Sequence, residues 1–410
     1  MNADFTSVLN RSKHQTIREA VVDTLKESLS ALRDYLGMET IFVSEIEDGR
    51  LWFLTVDEAT PFLKPLIPGN GLPLNDTLCY WVCNDILPHI IQSRDPIMET
   101  VRHLRDDENF DIGIHVSFPI HIHPGLPFGT ICCFSRKERP PLTDVELRMF
   151  RTMAEMISAN LRLHAKISGL DEPLCEDLAQ TLRKPAISPV FQPIKRFEDG
   201  HIIGYEGLSR FQEMPQHSPQ DMFALAQNYG MGPKLELNAA NCILDEAERL
   251  NLTSLISINH SPDSLLAPSL QSRFEAYLEG NAQRALAVEI SEQAVIQDFA
   301  RLGRRLDALR ALGVKIALDD VGQGNAGLAH ILALKPDLIK LDRVIVAELA
   351  NRKENRAMVS ALLQFSKETG CELIAEGIET EDEKAILMDL GVKYGQGFYL
   401  GRPAPLPRQH

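Results

Sequence analysis

The sequence predicts an α/β protein in which an N-terminal α+β domain is followed by a TIM-like (β/α)₈ barrel. The chain has 410 residues, which is enough for two or three domains of about 100–200 residues each. From about residue 187 onward, short apolar runs alternate with amphipathic stretches long enough for helices, a pattern typical of repeated β/α units around a parallel sheet. The first half differs, because long amphipathic segments flank alternating strands.

The N-terminal half is predicted to hold strands between two long helices. Apolar residues recur every three or four positions from Ile17 to Leu36, and Gly37 stands where that helix would end. Thr143 and Glu146 have the spacing of a capping box and begin a second helix, predicted to run to about Lys166. Strands are predicted over residues 40–45, 51–56, 115–123 and 128–134. The third strand alternates apolar and polar residues, so we predict that it is half-buried.

The order of residue types from Gly113 to Glu146 resembles the C-terminal half of a GAF domain. The resemblance covers roughly residues 15–165 and implies a sensory or dimerising module with an unidentified small ligand. The stretch that follows is rich in glycine and proline, which favours a linker. We therefore predict a GAF-like domain over residues 1–166, a linker over 167–186 and a barrel over 187–410.

Composition restricts the classes of function. The net charge is −15, which argues against a nucleic-acid partner because such binding needs a basic surface. There is no apolar run of about 18 residues and no signal peptide in the polar first residues, so we expect no membrane partner and a cytoplasmic location. The seven cysteines include no CxxC pair. This favours reduced, buried thiols over a disulfide framework or a zinc ribbon.

In the C-terminal half, the predicted strands end on or contain marked polar residues. Because the carboxyl ends of barrel strands and their loops meet at one rim, these residues are expected to converge. They are Gln192, Glu206, Asn259, Glu289, Asp319, Asp320, Lys340, Glu376 and Gln396. A single acidic residue after a strand is usually a helix cap or a solvated carboxylate. Several carboxylates in the same strand-end position indicate a site.

The residue types of this set indicate a metal centre. Carboxylates and an amide, without cysteine or histidine, suit hard cations such as Mg²⁺ or Mn²⁺. An Asp-Asp pair allows one carboxylate to bridge two ions while its neighbour binds one of them. Two ions about 3.5–4 Å apart can activate water for phosphoryl displacement, and a lysine beside them can polarise a phosphate or orient the attacking water. Bound cations would also offset the repulsion between an acidic protein and an anionic substrate.

The residues from about 187 to 406 resemble EAL domains, the cyclic di-GMP phosphodiesterases. The family's motifs occur in order as Glu206-Gly207-Leu208 with Arg210, Asn259-His260-Ser261-Pro262, Glu289-Ile290-Ser291-Glu292, Asp319-Asp320-Val321-Gly322-Gln323-Gly324, Lys340-Leu341-Asp342-Arg343, Ala375-Glu376-Gly377-Ile378-Glu379 and Gln396-Gly397-Phe398. So many ordered motifs over some 200 residues make the match specific.

The resemblance implies a role for each of these residues. The ligands of two Mg²⁺ or Mn²⁺ ions would be Glu206, Asn259, Glu289, Asp319, Asp320 and Glu376. The contacts of cyclic di-GMP would be Gln192, Leu208, Arg210, Gln396 and Glu379. Lys340 would orient water or contact the scissile phosphate, and Glu292 would anchor the loop after the Asp pair. The implied reaction is hydrolysis of cyclic di-GMP to linear pGpG, with Glu376 as the candidate general base and a metal-bridging hydroxide as the competing view.

Three departures from the family pattern bear on activity. Gly207 stands where the family has alanine, which removes one methyl group and is expected to matter little. Val321 replaces a phenylalanine, and Asn325-Ala326-Gly327 replaces a serine-rich continuation. In the family this loop links the metal site to the dimer contact. The metal ligands therefore match the pattern, while the loop after them is atypical.

Two alternatives to the phosphodiesterase remain open. A catalytically weak or inactive cyclic di-GMP receptor is one, although such family members usually lose metal ligands and none is lost here. A barrel glycosidase with paired carboxylates is the other, but Asn259, the Asp pair and Lys340 fit metal chemistry better. The chain has no Gly-Gly-Asp-Glu-Phe motif, so no cyclase activity is expected.

The N-terminal half allows two interpretations of its thiols and histidines. The segment Cys79–Cys83 carries two thiols and two aromatic residues, and His115, His121 and His123 follow later. A chromophore or metal site is one interpretation. We favour the other, a buried aromatic core with exposed strand histidines.

The two long helices also predict assembly. Each carries an apolar stripe, formed in the second helix by Phe150, Met153, Ile157 and Leu161. Two long helices at the edge of a small domain commonly pair with another copy, and two-fold pairing is the commonest oligomer form. We therefore predict a homodimer in which the GAF-like half regulates the barrel.

Overall fold

The structure of the protein is a computed structural model that describes residues 25–59, 66–105, 112–123, 125–167, 173–183, 186–211, 217–296, 298–322 and 327–406. Residues 17–24 of the first predicted helix and 323–326 of the atypical loop lie outside these ranges. The chain divides into two compact units. Unit 1 comprises residues 1–185 and 216–235, and unit 2 comprises residues 186–215 and 236–410. Every helix within the described residues is too short or too polar to cross a membrane.

Unit 1 contains a six-stranded antiparallel sheet in the order β3-β2-β1-β6-β5-β4. Its strands are β1 (Thr40–Glu47), β2 (Arg50–Glu58), β3 (Gly71–Pro73), β4 (Ile90–Gln92), β5 (Ile114–His123) and β6 (Leu126–Ser135). Its helices are α1 (described over 25–36), α2 (Leu78–Cys83), α3 (Ile97–Arg105), α4 (Asp144–Ile167), α5 (Pro173–Arg183) and α6 (Pro219–Asn228). The predicted strands and both long helices are confirmed within the described residues.

The ends of the two long helices follow from local sequence. Gly37 adopts a left-handed φ of 62° directly after α1, a conformation that glycine reaches without the steric cost of a side chain. At the start of α4, the Thr143 and Glu146 backbone amides each donate to the other residue's side chain, at 2.6 and 3.3 Å. The predicted capping box is therefore confirmed.

The sheet of unit 1 is buried on both faces. One face packs against α1 and α4 in an apolar core that contains Leu29, Val116 and Phe150. The stripe predicted on α4 faces this core, because Ile157 and Leu161 are also buried in it. The opposite face carries polar and sulfur-containing side chains, and α2 packs against it. The prediction of a half-buried β5 is therefore wrong. The alternating pattern predicts that the face with His115 and Ser117 is exposed to solvent, but α2 covers it.

Unit 1 includes a segment from the C-terminal half of the chain, residues 216–235. The helix α6 in this segment begins with a capping box between Ser218 and Asp221. Asn84, which is buried, bonds to the segment through both ends of its side chain. Its Nδ2 donates to the Gly230 carbonyl at 2.8 Å, and its Oδ1 accepts from the Lys234 amide at 3.1 Å.

Unit 2 is a closed eight-stranded barrel in the order β10-β11-β12-β13-β14-β7-β8-β9. The strands are β7 (Ile187–Arg196), β8 (Ile202–Phe211), β9 (Leu255–Asn259), β10 (Ala285–Ser291), β11 (Lys315–Val321), β12 (Leu338–Leu341), β13 (Glu372–Ala375) and β14 (Tyr394–Gly395). The helices are α7 (Gly232–Arg249, in unit 2 from Glu236), α8 (Pro262–Leu265), α9 (Pro268–Glu279), α10 (Phe299–Ala311), α11 (Gly327–Leu334), α12 (Arg343–Ala347), α13 (Lys353–Thr369) and α14 (Glu381–Leu390). The predicted TIM-like barrel is confirmed.

One strand departs from the predicted parallel sheet. β7 runs antiparallel to both of its neighbours, β8 and β14, whereas the other neighbouring strands are parallel. β7 and β8 are joined by a short turn at Asp199–Gly200, and parallel strands cannot be connected so closely. The expectation of a wholly parallel sheet was therefore wrong for this strand.

Candidate active site

The side chains of the site follow from the two-residue period of the barrel strands. Five apolar residues fill one layer inside the barrel, namely Ile194, Ala287, Ala317, Leu338 and Ile374. Because alternate residues of a strand face the same way, the positions two residues further along also face inward. Those positions are Glu289, Asp319, Lys340 and Glu376 on the parallel strands and, counted backwards along antiparallel β7, Gln192. A polar layer thus lies directly above the apolar one.

Lys340 lies at the centre of this polar layer. Its side chain is 1% exposed. The Nζ atom lies 2.6 Å from Glu289 Oε2, 2.6 Å from Glu376 Oε1, 3.3 Å from Asp319 Oδ1 and 3.6 Å from Glu206 Oε2. Four carboxylates, three on barrel strands and one directly after β13, therefore share one ammonium. We refer to Glu206, Glu289, Asp319, Asp320 and Glu376 as the carboxylate cluster.

Burial and mutual repulsion shift the proton affinities of these groups. Burial raises the pKa of Glu376 well above its usual range and also raises that of Glu289, although Lys340 opposes both shifts. Burial works against the charge on Lys340, but the surrounding carboxylates outweigh it and raise its pKa. Burial, and then the charge of Asp319, raise the pKa of Asp320 to about 6. A single ammonium therefore does not neutralise the carboxylate cluster, and the site favours additional cations.

Two amide side chains, those of Asn259 and Gln396, donate to Glu206, and Gln396 also donates to Gln192. Asn259 Nδ2 donates to Glu206 Oε1 at 2.8 Å. Gln396 Nε2 donates to Glu206 Oε2 and, at 2.9 Å, to Gln192 Oε1. The antiparallel register places Gln192 directly opposite Glu206. The sequence predicts that Gln192 lies at a strand end. The structure instead brings it to the site through the β7–β8 pairing.

The Asp pair lies where β11 leaves the barrel. Asp319, Asp320 and Glu376 each offer a carboxylate oxygen within 4.8 Å of the others. Asp320 has a left-handed φ of 58°, which is uncommon for a residue with a side chain. Glu292 contacts both sides of this turn. Its amide donates to the Asp319 carbonyl at 2.8 Å, and its Oε2 accepts from the Gly322 amide at 2.7 Å.

The remaining predicted substrate contacts lie outside this network. Leu208 and Arg210 are half-buried on β8, and Arg210 Nη1 donates to the Ser209 carbonyl at 2.8 Å. Glu379 is exposed and forms an ion pair of 2.9 Å with Arg343. Among the described contacts, none joins these three residues to the carboxylate cluster. Their roles stay predictions.

Sequence reasoning missed a support for Asn259. Glu236 on α7 accepts from the Ser261 amide at 2.8 Å and from its hydroxyl at 3.1 Å, and His260 Nδ1 lies 3.4 Å away. These contacts fix the turn that follows Asn259. One feature of the sequence could have indicated this role. Glu236 is an acidic residue beside the apolar residues Leu235 and Ala239, which are buried.

The structure also accounts for the glycine in the Glu206-Gly207-Leu208 motif. A Cβ atom at Gly207 would lie 2.5 Å from Ile243 Cγ2, closer than two carbons can approach. Ile243 on α7 therefore takes the space that an alanine methyl group would need.

The donor set fits divalent metal ions. Asp319 Oδ1 is buried and makes no hydrogen bond within the described residues, although Lys340 lies near enough for an ion pair. All other candidate donors are carboxylate or amide oxygens, which are the ligands of Mg²⁺ and Mn²⁺. Five carboxylates and one ammonium carry a formal charge of −4 when ionised, which two divalent ions would balance.

Comparison with known families identifies the barrel. The family model of the EAL domain matches residues 175–403, more than half of the chain. The chain belongs to the EAL family. A second family model, that of the GAF domain, matches residues 20–161. The EAL match begins within α5.

Relatives of the EAL barrel include proteins of Pseudomonas aeruginosa. The bifunctional diguanylate cyclase/cyclic di-GMP phosphodiesterase MucR is 32% identical over 245 residues, covering 57% of this chain and 35% of that protein. The cyclic di-GMP phosphodiesterase NbdA is 27% identical, covering 56% and 30%. A solved structure described as the PaMucR phosphodiesterase in complex with c-di-GMP is 30% identical, with a TM-score of 0.50, covering 57% of this chain and 98% of that one. The chain thus spans about a third of the length of these curated relatives.

Proposed function

We propose that the protein is a divalent-metal-dependent phosphodiesterase that hydrolyses cyclic di-GMP to linear pGpG. The observation that carries the proposal is the convergence of the carboxylate cluster on Lys340, with Asp319 Oδ1 left without a hydrogen bond. The similarity to proteins described as cyclic di-GMP phosphodiesterases supports the choice of substrate.

Different residues of the chain would bind the metal ions, orient the reacting groups and contact the substrate. Glu206, Asn259, Glu289, Asp319, Asp320 and Glu376 would hold two Mg²⁺ or Mn²⁺ ions, which supply an activated water and neutralise charge on the phosphate. Glu376 would serve as a metal ligand or as the general base, and burial raises its pKa well above the usual range in the metal-free site. Lys340 would keep Glu376 and Glu289 in place and face the scissile phosphate. Gln192, Leu208, Arg210, Gln396 and Glu379 would contact the dinucleotide.

The test is turnover by the full chain. We expect cyclic di-GMP to be converted to pGpG with Mg²⁺ or Mn²⁺, and not after chelation by EDTA. Glu206→Ala and Asp319→Ala should each abolish the reaction, because each removes a proposed ligand. Glu372→Gln is the matched control, since this exposed residue lies at the opposite end of the strand that precedes Glu376. Product formation is followed by chromatography.

The alternative function is a catalytically weak or inactive receptor for the same dinucleotide. Metal-dependent binding of cyclic di-GMP without product would support the receptor and overturn the enzyme. Turnover that persists in both ligand variants would instead show that the metal ligands are assigned wrongly.

We further propose that unit 1 regulates the barrel within a homodimer. A row of exposed side chains runs along α4 at alternating spacings of four and three residues, namely Val145, Met149, Thr152, Met156, Ala159 and Leu163. This is the spacing of a coiled-coil seam. Met156 and Leu163 are 62% and 58% exposed, unusually high for large apolar residues. The stripe anticipated from sequence packs on the sheet, so this second row is the better candidate for pairing with another copy. A small ligand of the GAF domain would act through that pairing.

A further inference from the structure

The second face of the sheet in unit 1 holds a compact group of potential metal ligands. Ser117 on β5 and Cys132 on β6 are paired across the two strands, and His115 lies two residues from Ser117 on the same face. The helix α2 covers this face and presents Cys79 to it. Cys79, His115 and Cys132 are 3%, 3% and 1% exposed. Three side chains that bind transition metals are therefore buried together within unit 1.

The distances within this group fit a metal ion. Cys132 Sγ lies 3.2 Å from His115 Nε2. One ligand atom from each of the three residues lies within 4.8 Å of the other two. A tetrahedral zinc ion, with bonds of about 2.3 Å to sulfur and about 2.0–2.1 Å to nitrogen, places neighbouring ligand atoms about 3.5–3.8 Å apart. The Cys132–His115 pair needs to open by only a few tenths of an ångström to take an ion.

The surroundings of this group are polar for a protein interior. The Ser117 hydroxyl donates to Cys79 Sγ at 3.6 Å. The hydroxyl groups of Ser44 and Thr130, on neighbouring strands of the same face, lie 2.8 Å from each other. His115 Nδ1 is buried and has no hydrogen-bond partner within the described residues. A buried imidazole with an unpaired nitrogen is costly, so packing alone does not explain why histidine occupies this position.

We propose that Cys79, Cys132 and His115 bind one thiophilic divalent transition-metal ion, of which Zn²⁺ is the best match, within the GAF domain. Two thiolates and one imidazole are a soft donor set, unlike the oxygen donors of the barrel. Three protein ligands leave a fourth position, which the Ser117 hydroxyl, water or a small exogenous molecule can fill. The site is independent of the proposed phosphodiesterase activity.

Cobalt titration of the full chain tests the proposal, because Co²⁺ bound by thiolates gives sulfur-to-metal charge-transfer absorption that oxygen ligands do not give. The titration is run in excess Mg²⁺, so that the barrel is saturated with a colourless ion. We expect one equivalent of Co²⁺ with these bands, displaced by Zn²⁺. Cys79→Ser and Cys132→Ser should each weaken binding by at least about tenfold, because even the loss of a residue that only supports a ligand typically costs about 10–100-fold.

Two other buried cysteines provide matched controls. Cys133 follows Cys132 in sequence but faces the apolar core on the opposite side of the sheet. Cys83 lies one turn along α2 from Cys79. Cys133→Ala and Cys83→Ala should keep the charge-transfer bands. Absence of the bands in the wild-type protein, or their survival in Cys79→Ser, would overturn the proposal.

A measurement without substitutions covers the case in which a variant fails to fold. X-ray absorption at the zinc edge of the wild-type, zinc-loaded protein reports the atoms bound to the ion. We expect two sulfur neighbours and at least one imidazole nitrogen. A spectrum with only oxygen and nitrogen neighbours would exclude the site.

Discussion

Lys340 is the residue on which the charge balance of the barrel depends. It is buried among four carboxylates, with two of them at 2.6 Å. Removing one partner of a buried charge network leaves the others uncompensated, which typically costs about 3–5 kcal/mol. In the metal-free protein, the ammonium therefore acts as the cation that permits the carboxylates to be buried.

We predict that Lys340→Met lowers the free energy of unfolding of the metal-free protein by about 3–5 kcal/mol. Saturating Mn²⁺ should restore much of this loss, because bound cations replace the missing charge. Denaturant unfolding with and without Mn²⁺ measures both effects. Lys315→Met, at the exposed opposite end of strand β11, should change neither. An equal loss with and without Mn²⁺ would contradict the proposed charge balance.

Gly207 gives a second prediction at the scale of single residues. Gly207→Ala, which restores the family's residue, should destabilise the protein by about 1–3 kcal/mol, because its methyl group would overlap Ile243. Adding Ile243→Ala opens that space, so the double variant should be more stable than the sum of the two single changes predicts.

The control for this pair is Gly303→Ala. Gly303 lies within α10, and a Cβ atom there would meet no atom within 4 Å apart from its chain neighbours and the nearby backbone of its own helix. This change should leave stability unchanged or increase it, because alanine favours helix more than glycine does. Strictly additive losses in the Gly207 and Ile243 variants, measured by thermal unfolding, would show that the two side chains do not compete for space.

Among the secondary-structure elements, α4 carries two apolar rows with different roles. Phe150 and Ile157 face the sheet, whereas Met149 and Met156 are exposed.

We predict that Met149→Glu combined with Met156→Glu converts a dimer to a monomer, because four glutamates would face one another across the pair. Light scattering coupled to gel filtration gives the mass. Met149→Leu with Met156→Leu should keep the dimer, since the apolar seam is retained. A wild-type protein that is monomeric would refute the proposed pairing.

Some of the helices and strands could be predicted from the sequence alone. Periodicity and capping predicted β1, β5, β6, α4 and the barrel strands, because these signals depend on residues close together in the chain. The strand-end rule also brought Glu289, Asp319, Lys340 and Glu376 to one layer.

Two features depended on contacts that are distant in sequence and were therefore missed. The burial of His115 depends on the packing of α2 against the sheet. The overlap between Gly207 and Ile243 depends on the position of a helix that follows β8. The antiparallel direction of β7 is different, because the Asp199-Gly200 turn between β7 and β8 is a local hairpin signal that was not used.

At the scale of the whole molecule, helix α7 belongs to both units. Its first residues, up to Leu235, are in unit 1, where Asn84 binds the Lys234 amide. From Glu236 onward it is in unit 2, where Glu236 holds the turn after Asn259. In the proposed regulation of the barrel by unit 1, this continuous helix would carry a displacement from Lys234 to Glu236 and so to a proposed metal ligand.

We predict that Asn84→Ala lowers both stability and kcat. Loss of its buried hydrogen bonds should cost about 1–3 kcal/mol, and the looser start of α7 should lower kcat because the turn after Asn259 is then less well positioned. The measurements are thermal unfolding and initial rates across a range of Mg²⁺ concentrations. Asp85→Asn is the control, because it removes only an exposed ion pair with Lys234 Nζ. An unchanged kcat in a destabilised Asn84→Ala protein would exclude this route.

The pairing of β7 with β14 has a consequence for folding during synthesis on the ribosome. The barrel closes only when Tyr394 and Gly395 pair with Arg196 and Lys195, and ribosomes add about 5–20 residues per second. The newly made β7–β8 hairpin therefore waits about 10–40 s for its last neighbour. During that time the free edge of β7 can pair with another chain, and Glu206 lacks the amide of Gln396. Each molecule thus passes through an interval of synthesis in which it is prone to aggregate and has no complete metal site.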